Sequence, residues 1–152
     1  MRAYAAMLVP TDFSECAELA LEEAIALARR LGARMLLLHA YELPALLPGA
    51  EGSIALGELD RSVRESARAA LEERAERVRG AGLEVEVRVE AGSPVELIAR
   101  TAEENRIDLV VIGTHGRTGL AHVLLGSVAE RTVRTAPCPV LTVRPLKSGE
   151  SR

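Results

Sequence analysis

The run Arg34-Met35-Leu36-Leu37-Leu38-His39-Ala40-Tyr41 is apolar without alternation. A strand with one wet face alternates polar and apolar residues, whereas a strand covered on both faces need not. This run is therefore expected inside a parallel sheet with helices above and below it. Ile107 to Ile112 reads the same way, and shorter apolar runs at Tyr4 to Val9 and Pro139 to Val143 are two more strands. Leu83, Val85, Val87 and Val89 instead alternate strictly with Glu84, Glu86, Arg88 and Glu90. Period two with a charged face puts that strand at the edge of the sheet.

Helical patterns fill the intervals. Ser14 is expected to cap the first helix, with Glu15 and Glu18 in its opening turn. Ala17, Leu21, Ala24, Ala28 and Leu31 share one face, and Gly32 supplies the stop. Glu42 to Gly57 holds two prolines and three glycines and is expected to be irregular. Glu58 to Arg79 reads as the second helix, with Leu59, Val63, Ala67, Ala70 and Val78 facing inward. Its outer face carries Arg and Glu at i,i+4 spacing, such as Glu73 with Arg77, the pattern of a solvated surface. Ser93-Pro94-Val95-Glu96 has the form of a capping box with proline at the first helical position, and opens a third helix to about Glu104. Val128 to Thr135 is the fourth.

Strands that alternate with helices imply right-handed crossovers and an open, parallel α/β sheet with helices on both faces. If the wet strand is outermost, the first three strands step outward and the fourth returns to the far side of the first. The expected order is 3-2-1-4-5. Ligands of such sheets bind where the winding reverses, at the carboxyl ends of the strands. Those ends are Pro10-Thr11-Asp12 on the first strand and Gly113 on the fourth.

A chain of 152 residues can bury a core as a single domain, here expected over residues 1–146 with a tail over 147–152. A net charge of −3 and 2% aromatic content disfavour nucleic acid, which needs a basic surface or stacking platforms. No apolar run is long enough to cross a membrane, and the N-terminal run is broken by Pro10 before a signal peptide could be completed. A cytoplasmic protein is expected. Cys16 and Cys138 lie far apart and imply no disulfide framework.

The fourth strand runs into Gly113-Thr114-His115-Gly116, then nine residues, then Gly126-Ser127-Val128 at the start of the last helix. Glycine lets backbone approach an anion and tolerates positive φ, while a helix start offers free N–H groups and the positive end of its dipole. The stretch is neither a P-loop, having no G-K-[ST], nor a dinucleotide fingerprint, having no G-x-G-x-x-G. Ser127-Val128-Ala129-Glu130 has capping-box form, so Ser127 is expected to begin the helix. Arg117 is the one cation in the stretch and suits a charge-assisted bond to phosphate. A lone loop histidine such as His115 is expected to be a structural hydrogen-bond partner, and core or surface roles are expected for His122 in the spacer and His39 on its buried strand. No catalytic residue and no metal ligand set is assigned.

The G-x-x-G, nine-residue, G-S pattern resembles the nucleotide-binding signature of the universal stress protein family. Leu8-Val9-Pro10-Thr11-Asp12-Phe13-Ser14, Leu37-Leu38-His39-Ala40 and Ala136-Pro137-Cys138-Pro139-Val140-Leu141-Thr142-Val143 are similar to that family too. The resemblance implies a flavodoxin-like fold and ATP as ligand, with any Mg²⁺ held through the phosphates. It implies that Asp12 contacts the nucleoside and that backbone at Pro10 and Ala40 lines the adenine pocket. Gly113 and Gly116 would let the loop wrap ribose and phosphates, and Gly126, Ser127 and the Val128 amide would cradle the phosphate tail. Thr11, Thr114, His115, Arg117 and Gly119 are expected to line the same site. A homodimer through the last strand, Val140 to Val143, is also implied. The expected function is that of an ATP-binding regulatory module of the stress response; the rival is a slow ATPase using the same pocket. Gly126→Val is expected to abolish nucleotide binding and leave the fold intact.

Overall fold

A computed structural model describes residues 4–44, 53–116 and 125–145. Along the chain run β1 (Ala6–Pro10), α1 (Glu15–Leu31), β2 (Arg34–Tyr41), α2 (Ser53–Gly80), β3 (Val85–Ala91), α3 (Pro94–Glu104), β4 (Leu109–Gly113), α4 (Ser127–Thr135) and β5 (Val140–Val143). The strands form one parallel sheet in the order β3-β2-β1-β4-β5. This is the flavodoxin-like α/β fold, with the alternating strand at one edge and the reversal between β1 and β4.

The continuous apolar runs are two interleaved period-two stripes, one for each face. Met7, Val9, Met35, Leu37, Leu109 and Val111 pack against Ala20, Leu21, Ala24 and Ala28 of α1 and Ala67, Leu71, Ala75 and Val78 of α2. Their strand neighbours Leu8, Leu36, Leu38, Val110 and Ile112 pack on the opposite face against Leu97, Ile98 and Ala102 of α3 and Ala129 of α4. Small residues dominate the α1 stripe, which lets that helix lie close to the sheet.

Some local expectations need correction. α2 begins at Ser53, five residues before Glu58, and runs through Gly57. A glycine inside a helix costs about 1 kcal/mol relative to alanine, and it does not stop a helix of 28 residues. The expected irregular stretch is shorter by that much, and residues 45–52 of it lie outside the described residues. The buried stripe of α2 is carried by Leu71 and Ala75 as well as Ala67 and Val78, whereas Leu59 is exposed. Arg77 pairs with Glu18 and Glu22 of α1, so the outer face of α2 is partly an inter-helix seam. Ser93 occupies the N-cap of α3 without a side-chain capping bond, and Pro94 follows as expected. The tail at 147–152 lies outside the described residues.

Candidate functional site

β1 pairs with β2 over five residues but with β4 only at Met7↔Leu109 and Leu8↔Val110. Beyond that register the two central strands are no longer paired. Their helices also leave to opposite faces, α1 from β1 and α4 from the segment after β4, so neither helix covers the gap. A cavity of about 530 Å³ opens there. That volume is within the usual range for small-molecule and cofactor pockets.

The cavity is lined by Pro10, Thr11 and Asp12 from β1 and its turn, Ala40 from β2, Gly113 to Gly116 after β4, and Gly126, Ser127 and Val128 at the start of α4. Eleven of the sequence-predicted residues thus meet in one place, although they come from four separate stretches of chain. Arg117, Gly119 and His122 lie outside the described residues. Sequence reading missed an apolar wall made by Leu38, Ile112, Ala17, Pro94, Ile98 and Ala129, together with Glu42 beyond the end of β2. The signal for Pro94 and Ile98 was available in the topology. A right-handed crossover starts every helix at the same end of the sheet, so α3 opens onto the crevice.

The turn after β1 is tightly specified. Thr11 N–H donates to the Leu38 carbonyl at 2.9 Å, continuing the ladder by one bond. Phe13 then takes φ of 65°, a left-handed conformation that is unusual for a bulky residue and costs on the order of 1–3 kcal/mol. Its N–H donates to Thr11 Oγ1 at 3.0 Å, and Ser14 N–H donates to Asp12 Oδ1 at 3.0 Å. Ser14 Oγ in turn accepts from Ala17 N–H at 3.2 Å, the expected N-cap of α1. The Phe13 ring stacks on His39 with centroids 4.4 Å apart, and His39 Nδ1 lies 2.8 Å from the Thr11 carbonyl oxygen. His39 is therefore a buried structural partner, as expected.

The glycines of the signature serve space rather than backbone handedness. None of Gly113, Gly116 and Gly126 has φ in the left-handed region. A Cβ on Gly113 would lie 2.8 Å from the Cys16 carbonyl oxygen, so this glycine lets the end of β4 lie against the first turn of α1. A Cβ on Gly116 would lie 2.7 Å from Asp12 Oδ2, and one on Gly126 would lie 2.9 Å from the Thr114 carbonyl oxygen. Gly126 N–H donates to that carbonyl at 2.6 Å, which closes the excursion of the loop. The Gly126 amide is thus already engaged. Ser127 is the first helical residue, as expected, and the N-cap position implied for it by the capping-box form belongs instead to Gly126. A Ser127 cap would need the chain to enter the helix one residue later, after the Thr114 bond. The first helical N–H groups, of Ser127, Val128 and Ala129, precede the first intrahelical bond, Glu130 N–H to the Gly126 carbonyl at 2.9 Å.

Thr114 ties the two sides together. Its N–H donates to the Val143 carbonyl at 2.8 Å, and its Oγ1 lies 2.9 Å from His115 Nδ1. Cys16 donates from Sγ to the same Val143 carbonyl at 3.3 Å, a role that the sequence did not signal. Cys16 and Cys138 form no disulfide. The charged lining residues among those described, Asp12 and Glu42, are both acidic. Among the described residues no group of His, Cys, Asp and Glu gathers into a metal-binding set, and no helix is long and apolar enough to cross a membrane.

The site can be compared with known proteins at this point. The universal stress protein family model matches residues 3–144. Universal stress protein MJ0531 of Methanocaldococcus jannaschii is 34% identical over 142 residues, covering 93% of this chain and 82% of that protein. The solved structure of MJ0577 from the same organism superposes with a TM-score of 0.84 at 32% identity, covering 97% of this chain and all of that one. A universal stress protein solved in complex with cAMP superposes with a TM-score of 0.65 at 29% identity, covering 93% of this chain and 98% of that one. With a family model matched over residues 3–144 and a relative 34% identical across 93% of the chain, this protein belongs to the universal stress protein family.

Proposed function

We propose that the chain is an ATP-binding regulatory module of the stress response, in which nucleotide occupancy sets conformation or assembly and hydrolysis is slow or absent. The observation that carries this reading is the convergence of Pro10 to Asp12, Ala40, Gly113 to Gly116 and Gly126 to Val128 on one cavity. The cAMP complex of a relative supports an adenine nucleotide as the class of ligand.

The chemistry of the cavity fits such a ligand end to end. The apolar wall of Leu38, Pro94 and Ile98 suits a base, beside Ala40, which lies two residues beyond the last β1–β2 pair, Pro10↔Leu38. The phosphates go to the free N–H groups at the start of α4, with the Ser127 hydroxyl beside them. Gly126 contributes by the Cβ it lacks, because its own amide closes the loop. Helix-end electrostatics supply only about 0.3–1 kcal/mol, whereas micromolar affinity needs about 8 kcal/mol. Base burial and several backbone hydrogen bonds must supply the rest. A Mg²⁺ ion accompanying the nucleotide is held through the phosphates. Arg117 adds a charge-assisted bond to them. The protein works in the cytoplasm as a homodimer paired through β5.

Titration calorimetry with ATP, ADP and AMP, followed by a phosphate-release assay, tests the reading. Micromolar ATP binding with turnover well below about one per second is expected. Absence of binding by every adenine nucleotide would overturn it, and faster turnover would make the protein an enzyme.

A further inference from the structure

We propose that Arg74, on α2 and outside the cavity, is a positioning residue for the ribose of the bound nucleotide. The inference rests on the nucleotide-binding reading above. Arg74 holds its guanidinium carbon 4.6 Å from the centroid of the Phe13 ring. Its own orientation is fixed twice, by an ion pair with Glu18 of α1 and by donation to the Ala70 carbonyl at 2.8 Å. A guanidinium held over an aromatic ring is attracted by the electron-rich face, more strongly where water is displaced. The Arg74 side chain is 17% exposed, so this contact is largely shielded.

Phe13 is the residue next to Asp12. It has φ of 65°, a conformation that a bulky side chain keeps only where its surroundings over-determine it. Two rings and a cation do so here. Arg74 lies over Phe13, Phe13 stacks on His39 at 4.4 Å, and His39 Nδ1 meets the Thr11 carbonyl at 2.8 Å. Asp12 therefore sits between two residues that the same stack fixes. Its Oδ2 lies so near the Gly116 backbone that a Cβ there would stand 2.7 Å away. A small relaxation of the turn changes where the carboxylate points.

The carboxylate only accepts hydrogen bonds, and so do phosphates. The donors on a nucleotide are the ribose hydroxyls and the exocyclic amine. An ionised carboxylate has two acceptor oxygens and so suits the adjacent pair of ribose hydroxyls. Loosening Arg74 should thus weaken ribose recognition selectively. Global loosening would affect every nucleotide alike.

The test is titration of the full chain with ATP and with 2′,3′-dideoxy-ATP, beside thermal unfolding. Arg74→Gln should weaken ATP about tenfold and dideoxy-ATP by less than about threefold. Arg74→Lys, which keeps a cation over the ring, should bring ATP back to within about threefold of the parent. Phe13→Leu should reproduce the Arg74→Gln split and serves in its place if that variant does not fold. Arg77→Ala removes a second partner of Glu18, held at 2.6 Å, without touching Phe13, and should change neither affinity. Equal losses for both ligands, no loss for either, or a loss in Arg77→Ala matching that of Arg74→Gln would each overturn the inference. Failure of the parent protein to bind ATP at all would instead overturn the nucleotide-binding reading and this inference with it.

Discussion

At the scale of single residues the site depends on atoms that are absent. Gly116 lets Asp12 come close, because a Cβ there would stand 2.7 Å from Oδ2 and displace it. The carboxylate is the far end of a short side chain and can yield, so Gly116→Ala should fold normally. It should bind ATP about tenfold more weakly, read by calorimetry with an unchanged urea midpoint. Ser127 offers a complementary probe. Its hydroxyl is at the first helical position while Gly126 caps α4, so it contributes little to the helix. Ser127→Ala should therefore leave the melting temperature within about 1 °C and weaken ATP about threefold to tenfold, the net value of one hydrogen bond. A drop of several degrees would mean that the hydroxyl does cap the helix.

At the scale of elements, the junction between β4 and α4 is one hydrogen-bonded unit. Gly126 N–H holds the Thr114 carbonyl at 2.6 Å, and a valine side chain would begin 2.9 Å from that same oxygen. The expectation that Gly126→Val spares the fold therefore changes. The variant should lose nucleotide binding and also lower the melting temperature by roughly 3–10 °C, as overpacking of a close contact does. A second junction joins β2 to α2 through the Tyr41 hydroxyl, which donates to Asp60 Oδ1. Burial and then this hydrogen bond push the Tyr41 phenol above its ordinary 10.0. The unfolded chain thus ionises first as pH rises. The stabilisation is complete below about pH 10 and fades as pH climbs toward the native value. Urea midpoints measured from about pH 8 to 11 should fall less steeply for Tyr41→Phe than for the parent.

At the scale of the whole molecule, β5 pairs with β4 on one side and, among the described residues, has no neighbour in the sheet on the other. Leu141 of that strand is 37% exposed and Val133 of α4 is 49% exposed. An apolar open edge invites a second strand. Pairing of two such edges about a twofold axis covers both at once. A charge on the edge opposes that pairing, so Leu141→Glu should convert the proposed dimer to a monomer in light scattering while the circular dichroism spectrum is retained. A parent protein that is already monomeric at tens of micromolar would refute the dimer.

The sequence by itself determined the order of elements, the order of strands in the sheet and the neighbourhood of the site. Each of those is written in a local pattern: uninterrupted apolar runs, one alternating strand, helical spacing, and glycines after a strand. Chirality and the position of the wet strand then leave one way to wind the sheet. Tertiary structure alone decided what stands opposite what. Gly113 is needed because Cys16 lies across from it, and Gly116 because Asp12 does. Arg77 turns to Glu18 on another helix and leaves Glu73, its neighbour by spacing. Phe13, His39 and Arg74 meet from three separate elements. Periodicity reports which face a residue takes, since that follows from its own backbone. It carries no information about the partner on that face, which is brought there by packing between segments far apart in the chain.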